Sequence, residues 1–200
     1  MTAFTKTNIA NMALGYLSDF RIDDIDDNDP SAIVLRDYWD IARLESLGAY
    51  EWGFASTITP LTKNATAPES GYLYKFDQPA NWIRTNEVSS SGKFEQGSFT
   101  AWEYRDGFFE TDSETLYLDY VYDHETVGTW PSWFVTHMVL KLAAYAAPGI
   151  ASAKREAQEL HRMADMQLLK SKARDAQQRV RRKPPPGNWY LALRGRRTWR

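Results

Sequence analysis

The sequence predicts an α+β chain, mainly α: a helical bundle with a β-rich insertion between helices 2 and 3, one long C-terminal helix and an extended C-terminal arm. Three observations carry that prediction. Apolar residues recur at three- and four-residue spacings towards both ends of the chain, the period of a helix face. The middle, residues 51–128, loses that period and fills with Gly, Ser, Thr and Asn among alternating aromatics. Lys183-Pro184-Pro185-Pro186-Gly187 then halts any helix, because proline lacks the N–H and clashes with the preceding turn.

Each element follows from local chemistry. Ile9, Met12, Ala13, Tyr16 and Leu17 share one face of a first helix over about 5–17. Asp29 is placed to cap a second helix over 30–47, with Pro30 at the first helical position, where its missing N–H costs nothing. Ile33, Leu35, Tyr38, Trp39, Ala42, Leu44 and Leu47 give that helix a broad apolar surface. The insertion spans about 70–125, its clearest strands being 82–88, 99–104 and 116–122, with Asp106-Gly107 as a tight turn before Phe108-Phe109. A third helix over 130–147 begins with Thr129 as cap and Pro131 in the first turn, and stops at Pro148-Gly149. The fourth runs over 151–182, roughly 48 Å at 1.5 Å per residue. Its stripe of Ala153, Ala157, Leu160, Ala164, Leu169, Ala173, Ala176 and Val180 is mostly small, and its far end is expected to project from the body. Residues 1–182 are therefore read as a single domain and 183–200 as an extended docking arm.

The charge is unevenly distributed. Net charge is −2, but residues 1–150 hold 10 basic and 22 acidic side chains (net −12), and residues 151–200 hold 14 basic and 4 acidic ones (net +10). No overall field commits the chain to polyanions, yet it carries two opposite faces. With no cysteine, disulfide and thiolate-metal frameworks are excluded, which fits a reducing compartment. The first residues lack the cationic start and apolar run of a secretory leader. No stretch approaches the roughly 20 apolar residues of a membrane span, so no membrane partner is expected.

Catalytic and metal motifs are missing from the sequence. A calcium-loop register starting at Asp24 fails, because Asp29 stands where glycine is needed and Leu35 where the bidentate Glu belongs. Helix capping and solvation account for the acidic loop. His124, His137 and His161 lie in three segments with neither HExxH spacing nor a cysteine partner. Phosphate-loop and nucleophile-elbow patterns are absent, and carboxylate pairs such as Glu110 and Asp112 are what any acidic sequence supplies. No catalytic residue, metal site or cofactor is assigned, and no enzyme is expected.

The strongest electrostatic feature is the basic helix end of Lys170, Lys172, Arg174, Arg179, Arg181 and Arg182. The arm beyond adds Trp189, Tyr190, Leu191, Arg194, Arg196, Arg197 and Trp199. A solvated helix end would explain the cations alone, and phosphate contact would explain the cations with the aromatics. Docking on an acidic protein surface also accounts for the proline spacer and the apolar anchors, and is the preferred reading.

Several phrases then carry a resemblance. They are Thr7-Asn8-Ile9-Ala10-Asn11-Met12-Ala13-Leu14-Gly15-Tyr16-Leu17, Tyr38-Trp39-Asp40-Ile41-Ala42-Arg43, Glu51-Trp52-Gly53-Phe54-Ala55 and Tyr72-Leu73-Tyr74-Lys75-Phe76-Asp77-Gln78-Pro79-Ala80-Asn81-Trp82-Ile83-Arg84. Together they resemble the head-to-tail adaptors (connectors) of tailed bacteriophages, the group that includes tail tubular protein A and the tail accessory factors. The resemblance implies a structural virion protein of the tail or neck, assembled in the bacterial host cytoplasm. It further implies a dodecameric homo-oligomeric ring that joins the portal protein to a downstream tail protein. Double-stranded DNA would pass through its channel without sequence-specific binding, and the C-terminal residues named above would grip the portal. The alternative expectation is a nucleic-acid-binding accessory protein acting through the basic C-terminal segment; a virion-borne wall hydrolase comes third.

Overall fold

Side-chain caps start the first two helices. The computed structural model describes residues 3–94, 99–150 and 154–178. Helix α1 (Lys6–Tyr16) opens with a reciprocal capping box: the Asn8 N–H donates to Thr5 Oγ1 at 3.1 Å and the Thr5 N–H to Asn8 Oδ1 at 3.2 Å. It closes where Ser18 takes φ +56° and the Asp19 N–H returns to the Leu14 carbonyl at 3.2 Å. Helix α2 (Pro30–Gly48) has Asp29 as its cap, accepting from the N–H groups of Ser31 (2.8 Å) and Ala32 (3.3 Å). Helix α3 (Ser132–Ile150) starts later than Thr129 would place it. Thr129 instead closes a 3₁₀ turn, Val127–Thr129, and the Pro131 carbonyl receives the N–H groups of Phe134 and Val135. The helix also runs through Pro148, and at Gly149 a β-carbon would lie 3.0 Å from Val34 Cγ1, so its last turn packs closely on α2.

Six strands lie between α2 and α3: β1 (Ser56–Pro60), β2 (Tyr74–Asp77), β3 (Trp82–Ser89), β4 (Trp102–Arg105), β5 (Phe108–Thr111) and β6 (Tyr117–Tyr122). They form two three-stranded antiparallel sheets, in the orders β1-β6-β3 and β2-β5-β4. Asp106 and Gly107 both take positive φ (+48° and +82°), the two-residue hairpin geometry that matches strand twist. That turn sets Phe76, Phe109 and Tyr104 in one row across β2, β5 and β4.

The chain divides into two compact units. The first comprises residues up to Ile58, Ala80–Asn86, and those from Asp119 through α4 (Lys154–Gln177). Its core joins Ile9, Leu14, Leu35, Trp39 and Leu47 to Phe134, Met138, Leu142 and Leu160. Trp52 is its aromatic hub, fully buried, with centroids 5.4 Å from both Trp133 and Phe134 and its indole N–H donating to the Ser46 carbonyl. The second unit comprises Thr59–Pro79 and Glu87–Leu118 among the described residues and closes over Phe76, Phe109, Leu116 and Leu118.

This architecture corrects the predicted fold class. The described chain is mixed α/β, with 46% of the described residues in helix and 19% in strand, in place of a helical bundle carrying an insertion and a single long C-terminal helix. Ala80–Asn86 and residues 119–125, both read from the sequence as part of the insertion, belong to the helical unit, where Val121 is fully buried in the core. The fourth helix, read from the sequence over 151–182, is described over Lys154–Gln177, and residues 151–153 and 179–182 lie outside the described residues. It ends at Gln177, where the Gln178 N–H turns back to the Asp175 carbonyl, and α2 and α3 are 19 residues each beside its 24. Through Asp175 the described part is held to the body by buried polar contacts, and the far end expected to project lies outside the described residues.

Candidate docking surface

Helix α4 has two faces that differ from the stripe predicted for it. Ala157, Leu160 and Ala164 face inward as expected. Beyond them the inward positions are Leu168, Ser171 and Asp175, because the 3.6-residue period carries the core seam there. The Ser171 hydroxyl donates to the Trp133 carbonyl at 2.8 Å. Both oxygens of Asp175, a side chain on a residue only 2% exposed, accept from the Gly53 N–H at 3.1 Å. The phrase around Trp52-Gly53-Phe54 is thus tied to α4 through the Gly53 backbone and to α2 through the Trp52 indole.

Turned outward are Leu169 (68% exposed) and Met166 (46%), with Ala173 and Ala176 also exposed. Lys170 and Arg174, four residues apart and both exposed, border this strip. Lys172 is separated from them: it is half-buried with its ammonium 5.7 Å from the Tyr50 ring centroid, a cation–π contact. An apolar strip edged by cations, with long side chains exposed among the described residues, can hold an apolar surface that carries acidic neighbours. Arg179, Arg181, Arg182 and the arm residues Trp189, Tyr190, Leu191, Arg194, Arg196, Arg197 and Trp199 lie outside the described residues.

The groups screened for chemistry have structural occupations. His137 is buried and donates from Nδ1 to the Ala164 carbonyl at 3.1 Å; desolvation drives its pKa down to about 4, against the upward pull of that hydrogen bond. His124 pairs with the Thr129 hydroxyl at 2.7 Å, and burial lowers its pKa as well. His161 meets the Tyr145 ring edge-on at 5.3 Å. In the acidic loop Asp24 accepts from Thr7 and from the Asp26 N–H, and Asp27 accepts from the Asp24 N–H. Those carboxylates satisfy a turn. Asp112 holds the Leu73 N–H at 3.0 Å, while Glu110 sits in β5 opposite Lys75 and Glu103. Among the described residues no three His, Asp or Glu side chains are grouped to hold a metal ion, and no helix is long and apolar enough to cross a membrane.

The sequence reading assigned Met12 and Tyr16 to the core face of α1, but the structure exposes them by 39% and 48%. Phe20, which no sequence pattern singles out, is 90% exposed. The only advance signal was an apolar residue standing between Asp19 and Arg21 in a turn. No protein-family model matches the chain, and no curated protein matches it.

Proposed function

We propose that this chain is a structural head-to-tail adaptor of tailed bacteriophages that works by docking. Copies form a ring between the portal protein and the next tail component in the virion neck, assembled in the host cytoplasm, and DNA passes through without sequence-specific contact. The reading rests on the four phrases that resemble the adaptors. One structural observation supports it most: the outward strip of α4, Met166 and Leu169 edged by Lys170 and Arg174, leads in sequence directly to the cationic, indole-bearing arm. Strip and arm share one chemistry, apolar anchors among cations, suited to an acidic protein surface. The role requires no chemical step from the protein.

Capture of the full chain on immobilised portal protein tests this. Removal of residues 183–200 should abolish capture, and Trp189→Ala should weaken it by roughly thirtyfold, the loss typical of a truncated aromatic hot spot. Unchanged capture by the truncated chain would refute the arm assignment. The exposed Lys170 and Arg174 favour a second reading, contact with nucleic-acid phosphates. That reading demands binding to oligonucleotides with a steep log–log dependence on salt, whereas aromatic-anchored docking should respond weakly.

A further inference from the structure

Phe20 is the most exposed large hydrophobic residue described, at 90%, and its backbone is firmly held. Before it, Ser18 is fixed in the left-handed region and Asp19 accepts from both the Phe20 N–H (2.8 Å) and the Ser31 hydroxyl (2.6 Å). After it, the Asn11 side chain clasps Ile22 at both ends, donating to its carbonyl and accepting from its N–H at 2.9 Å each. Ile22 and Ile25 are buried. A ring presented on a turn tied down on both sides loses little freedom on binding, which is what favours an anchor residue.

The same unit has a receptor for such a ring. A groove of about 390 Å³ between α1 and α3 has Val135 and Val139 at its floor and Phe4, Met12 and Tyr16 on its walls. That exceeds the roughly 150 Å³ that suffices for a benzene ring. Phe20 does not fill it in its own chain. The groove's ends differ in charge: the depression adjoining it at Phe4 and Met12 includes Arg21, and the one adjoining it at Tyr16 includes Asp19 and Glu156. An incoming Phe20 arrives flanked by Asp19 and Arg21, so a copy of this chain brings an anion for the Arg21 end and a cation for the Asp19/Glu156 end. The charges favour one specific occupant.

We infer that Phe20 is a docking anchor that enters the α1–α3 groove of a second copy of this chain, with Arg21 of the entering copy meeting Glu156 of the receiving one. This goes beyond the adaptor proposal, which names no contact between copies, and its test does not involve the portal.

Sedimentation of the full chain over a wide concentration range measures the contact. Wild type should self-associate, and Phe20→Ala should raise the dissociation constant about thirtyfold or more. Its helix content should be unchanged, because the Phe20 ring is 90% exposed. Glu156→Arg should weaken association, because it sets a cation against the entering Arg21, and Glu156→Gln should weaken it less. Copies bearing Phe20→Glu mixed with copies bearing Met12→Glu should pair, one supplying the groove and the other the ring, while each fails alone. A chain that stays monomeric at every concentration overturns the inference, as does association indifferent to Phe20→Glu, which would place the contact elsewhere.

Discussion

Asp175 stands in a run of cations in the sequence, yet it is buried and both oxygens receive the Gly53 N–H. Its partner lies 122 residues away in sequence, so no local pattern could pair them. Asp175→Ala leaves that N–H without its acceptor and should destabilise the chain by about 1–3 kcal/mol. Asp175→Asn keeps a carbonyl acceptor and should recover part of the loss in urea titration. Arg43 shows the same logic: only 6% exposed, it donates to Asp40 at 2.9 Å and to Asp123. Asp29 is the opposite case, because a cap acts within three residues and is legible from sequence alone.

At the scale of the element, α4 shows how a correct helix can be given the wrong face. Leu168 and Leu169 are adjacent and chemically identical, and the sequence stripe of small residues selects Leu169. The structure packs Leu168 on the core and leaves Leu169 68% exposed. The stripe fails because the inward positions after Ala164 are Ser171 and Asp175, polar residues matched to backbone groups of α3 and of the Gly53 turn. Leu168→Ala should therefore cost about 2 kcal/mol, and Leu169→Ala should stay within about 0.5 kcal/mol. Thermal or urea unfolding of the two variants separates the faces, and equal losses would contradict the assignment.

For the whole molecule the consequence is acid sensitivity. The pKa of His137 is about 4 in the folded chain, below the 6.5 of the free side chain. Above that ordinary value the imidazole is neutral in both states and its full contribution is present. As pH falls from there towards 4, the unfolded chain takes up a proton that the folded chain refuses, so stability drops by an amount on the order of 3 kcal/mol and then levels. Glu45 adds to the loss at lower pH. Its burial raises its pKa, but the hydrogen bonds from Tyr145 and Lys141 outweigh that and leave it below the ordinary carboxylate value. The contribution of Glu45 is present above that value and lost as pH falls. His137→Leu should flatten the stability profile between about pH 6.5 and pH 4; an unchanged slope would refute burial of the neutral ring as its cause.

The sequence by itself determined the features whose causes are local. These are the cap at Asp29-Pro30, the Asp106-Gly107 hairpin, the positions where helical period gives way to strand alternation, and the polarity of the chain from acidic to basic. Only the tertiary structure decided that residues 80–86 and 119–122 pack with the helices, that Ser171 and Asp175 face inward, and that Met12, Tyr16 and Phe20 remain uncovered. The physical reason is that caps and turns are satisfied within a few residues. Which of several apolar faces is buried depends on what the rest of the chain brings against it.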